Sequence, residues 1–192
     1  MNAKTEEITD KASIEKTAGK IRGRPFLSER RIQARVRELA AEISKDYEGK
    51  NPLVVGLLKG AFMFYADLVR HLQMPITIDF MVASSYVMAS TTGKIKIHAD
   101  VREQVRGRHV ILIEDIVDTG ITLNHLRQNM LNRSPESLKI CTLLDKKDRR
   151  EVDVPIDYVG FTVPNEFLVG YGLDYDNRYR NLPYISVFKK SE

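Results

Sequence analysis

The sequence predicts an α/β fold, a mostly parallel sheet flanked by helices. Three observations carry that reading. Strand-like and helix-like segments alternate through the middle of the chain, the order that calls for parallel pairing with crossover helices. Its strands read as short apolar runs such as "LVVGLL" and "HVILI", too brief for helices and rich in β-branched residues. Each polar motif follows directly after a strand, and open α/β sheets bind ligands at the carboxyl ends of their strands.

The elements follow in order. Residues 1 to about 23 are polar and lack a clear period, so they read as a mobile extension or a loosely docked helix. Pro25 and Ser28 punctuate a helix start, with Ser28 placed as N-cap and Ile32, Val36, Leu39 and Ile43 at helical spacing. Gly49, Asn51 and Pro52 end that helix. "LVVGLL" (53–58) is a buried strand, and a helix begins near Ala61. "ITIDFMVASSY" (76–86) is the next strand, and the small, polar "VMASTTGK" after it reads as a mobile loop. "KIKIHAD" alternates with period two, as a half-exposed strand does. "HVILIED" is a third buried strand, followed by a helix from about Thr122 to Asn132. "LKICTLLD" and "YVGFTV" complete the set.

With 192 residues, 43% of them hydrophobic, the chain suits one ordered domain. No apolar run approaches the roughly 20 residues that span a bilayer. The opening "MNAKTEEITDK" lacks the apolar stretch of a secretory signal. Cys141 is the only cysteine, which excludes an internal disulfide and a thiolate metal cluster. His71, His98, His109 and His125 are scattered without metal-ligand spacing. A soluble cytoplasmic protein is expected. Net charge is +4, with eight basic residues and one acid, Glu29, between Lys16 and Arg37. Such a run is usually a solvated face, and otherwise a polyanion-binding surface.

Chemistry concentrates in "VILIEDIVDTGITL", residues 110–123. Gly120 lets the backbone turn tightly and approach a ligand. Free amides at a helix start attract an anion, and Thr119 and Thr122 add hydroxyl donors. No lysine follows the glycine, so this is not a P-loop. An ordinary strand-to-helix turn capped by Asp118 or Thr119 would read the same way. The neighbouring acids argue for the ligand. Glu114 and Asp115 end a buried strand, where bare carboxylates are costly. Carboxylates accept hydrogen bonds from sugar hydroxyls and coordinate hard cations such as Mg²⁺. A phosphate beside a diol, with a metal nearby, describes a phosphorylated ribose, and Asp118 stands one step further on, placed for a proton.

That stretch resembles the phosphoribosyl-pyrophosphate motif of type I phosphoribosyltransferases. "LVVGLLKGAFMFYADL", "DFMVASSY", "CTLLDKKDRREV" and "VGFTVPNEFLVGYGLDYDNRYRNLPYI" resemble the hypoxanthine (hypoxanthine-guanine) branch of that family, in the right order. The likeness runs from roughly Ser28 to Phe188 with no departure at a motif position. "NEFLVGYGLDY" with the upstream lysine is specific to enzymes of 6-oxopurines. The resemblance implies a type I phosphoribosyltransferase fold with a small hood subdomain. Residues 1–23 would be a basic N-terminal extension and 24–192 a single domain. Its core would span about 50–163, and its hood mainly 164–190 with part of the N-terminal region.

The implied reaction is Mg²⁺-dependent transfer of phosphoribose from phosphoribosyl pyrophosphate to hypoxanthine or guanine, giving IMP or GMP and pyrophosphate. Asp118, Thr119, Gly120 and Thr122 would hold the 5′-phosphate, and Glu114 and Asp115 the ribose hydroxyls, directly or through Mg²⁺. Lys59, Gly60 and Arg180 would bind pyrophosphate, with a cis peptide expected at Lys59–Gly60. Lys146 would donate to the 6-oxo group and so reject adenine, although spacing alone does not separate it from Lys147. Phe167 would stack on the purine, Leu168 would pair with the base edge through its backbone, and Asp118 would accept the N7 proton. Asp174 would hold a second Mg²⁺ through water. Ser85 and Tyr86 would begin a lid loop that excludes water. A homodimer or homotetramer is expected, without membrane contact. Two alternatives stay open. One is a xanthine-preferring relative. The other is an RNA-binding regulator on the same fold, against which intact Asp118, Lys146 and Asp174 argue.

Overall fold

A computed structural model describes residues 19–21, 23–88 and 91–190. Most of the expected basic extension, 1–18 and Arg22, lies outside them. Six strands form the main sheet: β2 (Leu53–Leu58), β3 (Thr77–Met88), β4 (Thr91–Ala99), β5 (His109–Val117), β6 (Ser137–Asp145) and β7 (Tyr158–Thr162), in the order β4-β3-β2-β5-β6-β7. All neighbours are parallel except β3 and β4. The chain leaves β2 to one side to build β3 and returns to its other side with β5. The carboxyl ends of β2 and β5 therefore meet at the point where strand order reverses, the place where such sheets form a crevice.

Alternation along the buried strands sorts side chains onto two faces. Val54, Ile111, Ile113 and Cys141 share one core with helices α1 (Glu29–Asp46) and α2 (Phe62–His71). Leu53, Val55, Val110, Leu112 and Ile140 share the other with Leu123, Leu126 and Met130 of α3 (Ile121–Leu131). The apolar spacing of α1 buries Ile32, Val36, Leu39 and Ile43 as the sequence predicts. Ser28 sits at the N-cap with extended backbone, but its side chain makes no cap hydrogen bond.

Two departures concern the hydrophobic pattern. The stretch expected as a mobile loop after Tyr86 is strand up to Met88 and again from Thr91, with Tyr86 opposite Lys94 and Met88 opposite Thr91; residues 89 and 90 lie outside the described ones. Ladder pairing uses backbone groups, which every residue carries, so small polar residues can extend a hairpin without showing a period. A second sheet, order β1-β9-β8, is formed by Gly19–Ile21, Ser186–Lys190 and Leu168–Val169. Strands of 3, 5 and 2 residues are too short to display alternation.

The end of α1 is tied to β6 and β7. Asp46 Oδ2 accepts from Tyr158 Oη at 2.6 Å and pairs with Lys139 Nζ at 3.0 Å. The tyrosine bond first, then the lysine, holds the Asp46 carboxyl below its ordinary value. That contribution is present above the unfolded carboxylate value and is lost as pH falls through the lower folded one. We therefore expect Tyr158→Phe to cost about 1 kcal/mol at neutral pH. Urea titrations should show the gap from wild type closing as acid protonates Asp46.

Candidate active site

The turn after β5 is shaped from behind. Gly120 has φ +84°, and a Cβ there would lie 2.4 Å from the Val152 carbonyl oxygen and 2.9 Å from Arg150 Cδ. Thr119 O accepts the amides of Glu151 and Val152 at 2.9 and 3.0 Å, and Arg150 Nε donates to Asp118 O at 3.1 Å. Arg150 is anchored in turn by the buried Asp145. Held by its carbonyls, the turn leads into α3, whose first amides lack intrahelical acceptors and suit an anion. A cavity of about 110 Å³ lies there, lined by Glu114, Asp118, Thr119, Gly120 and Thr122 among others.

Asp118 is asymmetric. Its Oδ2 lies 3.0 Å from Arg149 Nη1 and 3.8 Å from Lys146 Nζ, while Oδ1 is buried with no hydrogen-bond partner among the described residues. Lys146 is 5% exposed, an uncommon place for a lysine.

Beside this turn a cavity of about 250 Å³ brings together Gly60, Glu114, Asp115, Thr122, Asp174 and Arg180, along with Ala83. Burial, and then repulsion from Asp115, pushes the Glu114 carboxyl well above its ordinary value; burial likewise raises Asp115. Two carboxylates that resist ionisation side by side invite a cation. No group of three or more His, Cys, Asp or Glu side chains suited to a metal occurs among the described residues. The pair fits Mg²⁺ in its usual manner, one or two carboxylates with the remaining positions left to phosphate oxygens and water.

Two glycines set the depth of that cavity. A Cβ on Gly60 would fall 2.0 Å from Asp115 Oδ2, and one on Gly172, at φ +100°, 2.1 Å from the Gly60 carbonyl oxygen. Asp115, Gly60 and Gly172 are thus stacked at contacts only glycine allows. Arg180 closes the side, with Nη1 donating to Gly172 O at 2.7 Å and Nη2 on Asp174 Oδ1 at 2.7 Å. Lys59 is exposed. The cis peptide is Leu58–Lys59, one bond before the expected Lys59–Gly60. Neither bond precedes proline, so the sequence holds no local signal to choose between them.

Phe167 stands 47% exposed, its ring 5.8 Å from Tyr175 and 6.0 Å from Phe188. Leu168 is buried in β8, paired with Val187. Neither lines the two cavities, nor do Lys59 and Lys146. Ser85 and Tyr86 pair through their backbones with Ile95 and Lys94, while their side chains fall outside what the structure describes. Ala83, Arg149, Arg150, Asp145 and Gly172 were not among the residues the sequence singled out. Arg149 and Arg150 lie within "DKKDRREV", but no spacing rule says which carbonyls a guanidinium will reach.

Comparison with known proteins gives this geometry a context. The phosphoribosyl transferase domain family matches residues 26–176. The hypoxanthine phosphoribosyltransferase of Salmonella typhimurium is 52% identical over 163 residues, covering 83% of this chain and 92% of that protein. The hypoxanthine-guanine-xanthine phosphoribosyltransferase of Tritrichomonas foetus is 48% identical over 161 residues, 83% of this chain and 88% of that one. A crystal structure of a hypoxanthine-guanine phosphoribosyltransferase from Bacillus anthracis superposes with a TM-score of 0.83 at 45% identity, covering 90% of this chain and 99% of its own.

Proposed function

The chain belongs to the hypoxanthine (hypoxanthine-guanine) phosphoribosyltransferases of the phosphoribosyl transferase family, and on that premise we propose that it joins a 6-oxopurine to phosphoribosyl pyrophosphate in purine salvage. The bond from the ribose carbon to pyrophosphate breaks, and a bond from that carbon to a purine ring nitrogen forms. Hypoxanthine gives IMP and guanine gives GMP, each with pyrophosphate.

Each demand of the reaction falls to residues of this chain. The turn Asp118, Thr119, Gly120 and Thr122 binds the 5′-phosphate through α3 amides and threonine hydroxyls. Glu114 and Asp115 hold the ribose diol. Arg180 and the Lys59–Gly60 loop take the pyrophosphate, Arg180 with a guanidinium fork suited to phosphate oxygens. Phe167 covers the purine face, and the Leu168 backbone meets the base edge. Lys146 donates to the 6-oxo group, where adenine would present hydrogens instead. The N7 proton passes to Asp118 Oδ1. Glu114, Asp115 and Asp174 would hold Mg²⁺, which supplies charge neutralisation of the leaving pyrophosphate when bound. The end of the β3–β4 hairpin, carrying Ser85 and Tyr86, covers the reacting atoms against water. A cytoplasmic homodimer or homotetramer is the form we propose for the enzyme; no described helix is long and apolar enough to cross a membrane.

One observation carries this reading. A buried carboxylate oxygen of Asp118 without a partner among the described residues lies on a side chain beside a buried lysine, at the mouth of an anion-binding turn. Steady-state assays with hypoxanthine, guanine, xanthine and adenine test it. Hypoxanthine and guanine should turn over and adenine should lag in kcat/KM by about 5–150-fold, since a buried Lys146 left facing a donor costs about 1–3 kcal/mol. Xanthine belongs in the panel because the Tritrichomonas foetus relative is named for it. Adenine turnover equal to that of hypoxanthine would refute the role of Lys146.

A further inference from the structure

Asp67 lies on α2, lines neither cavity and has no part in the chemistry above. Yet three side chains converge on it. Its Oδ2 accepts from Tyr171 Oη at 2.6 Å and from Gln33 Nε2 at 2.5 Å, and Arg70 pairs with Oδ1. The Asp67 side chain is 15% exposed and Tyr171 is 5% exposed, so this is an interior contact. Burial raises the Asp67 carboxyl, but the bonds from Tyr171, Gln33 and Arg70 outweigh it and keep the group below its ordinary value.

The two ends of the contact belong to the two halves of the pyrophosphate site. Asp67 rides on the helix that begins immediately after Lys59–Gly60, and the Ala61 and Phe62 amides bond back to Leu57 O and Lys59 O at 3.2 Å each. Tyr171 belongs to the loop that carries Asp174 and Arg180, and its backbone is left-handed at φ +50°. The next residue, Gly172, presses on the Gly60 carbonyl. Gly172 also donates its amide to Arg180 O at 2.9 Å and accepts the Arg180 side chain at 2.7 Å.

We infer that the Tyr171 hydroxyl and the Asp67 carboxylate form a tie that sets the spacing between the Lys59–Gly60 loop and Arg180, which makes both of them positioning residues for the pyrophosphate end of the site. The tie acts on one end of the substrate only. Purine contacts come from β8, whose backbone pairs with β9 and whose Val169 packs with Phe188; Leu168 shares a core with the Tyr171 ring but takes no part in the bond from the Tyr171 hydroxyl to Asp67. The inference rests on the phosphoribosyltransferase reading of the site.

The test is Tyr171→Phe, which removes one oxygen and keeps the ring. KM for phosphoribosyl pyrophosphate, and for pyrophosphate in the reverse reaction, should rise about 5-fold, the loss of one modest hydrogen bond. KM for hypoxanthine should stay within about 2-fold, since no purine contact depends on the tie. Adding Asp67→Asn to Tyr171→Phe should raise KM for phosphoribosyl pyrophosphate no further, because Asp67 reaches the Arg180 loop only through Tyr171, its Gln33 and Arg70 contacts staying on α1 and α2. A general loosening of the fold would instead raise all three KM values together, and independent roles would make the two substitutions additive; either result overturns the tie. If wild type failed to form IMP from hypoxanthine and phosphoribosyl pyrophosphate, the functional reading would fall first, and that control is read before any variant.

Discussion

Asp118→Asn should lower turnover with hypoxanthine by about 10²–10⁴-fold, the range for losing a positioned general base. It should leave the melting temperature nearly unchanged. The asymmetry of the carboxylate places the effect toward the upper end of that range. Oδ2 faces two cations, Arg149 at 3.0 Å and Lys146 at 3.8 Å. An asparagine must turn its carbonyl oxygen toward them, because an amide NH₂ cannot accept from either. Its NH₂ then occupies the place of the orphaned Oδ1 and meets the purine N–H donor to donor. Folding should tolerate the change, since the volume is kept and the arginine contact survives with a neutral acceptor. Steady-state kinetics and a thermal melt on the same preparation check both halves. Turnover within a few-fold of wild type would remove Asp118 from the chemistry. A large fall in melting temperature would make its role structural.

Residues adjacent in sequence were the legible ones. Glu114, Asp115, Asp118, Thr119, Gly120 and Thr122 fall within nine positions of one strand–turn–helix junction, so their chemistry could be read as a unit. The buried strands were legible for a related reason: β2, β5 and β6 are central, and burial on two faces writes itself into composition. What stayed hidden depends on contacts across the chain. The stack of Asp115 on Gly60 on Gly172 joins three distant segments. Gly172 reads in sequence only as one glycine of "GYG". Asp118 is paired by Arg149, and its turn is clamped by Arg150, more than thirty residues later. The β3–β4 hairpin past Tyr86 was missed because backbone pairing leaves no apolar trace. The 3-stranded sheet was missed because its strands are too short for one. Such features are decided by which backbone groups find each other, and that follows from the fold as a whole.

The acids at the end of β5 are the place where function and stability should conflict most. Glu114 and Asp115 share a cavity, and burial followed by mutual repulsion raises Glu114. A carboxyl whose folded value lies above its unfolded one destabilises the fold as pH climbs from the unfolded value toward the folded one, and by a constant amount above it. Glu114→Gln removes that charge and keeps the shape. In protein freed of Mg²⁺ and substrate, the variant should match wild type below the ordinary carboxylate range and exceed it by about 1–2 kcal/mol at mildly alkaline pH. With saturating Mg²⁺ and phosphoribosyl pyrophosphate the order should reverse. The wild-type site gains stability in proportion to RT ln(1 + [L]/Kd), and the variant, having lost an acceptor for the diol and the cation, gains much less. KM for phosphoribosyl pyrophosphate should rise more than 10-fold, as when a charged hydrogen-bond partner worth about 1.5–3 kcal/mol is lost. Urea denaturation across pH, with and without ligands, reads every part of this. A variant less stable than wild type in the ligand-free state at alkaline pH would mean that the two acids are already paired by the protein itself, and that no cation or sugar is needed to explain them.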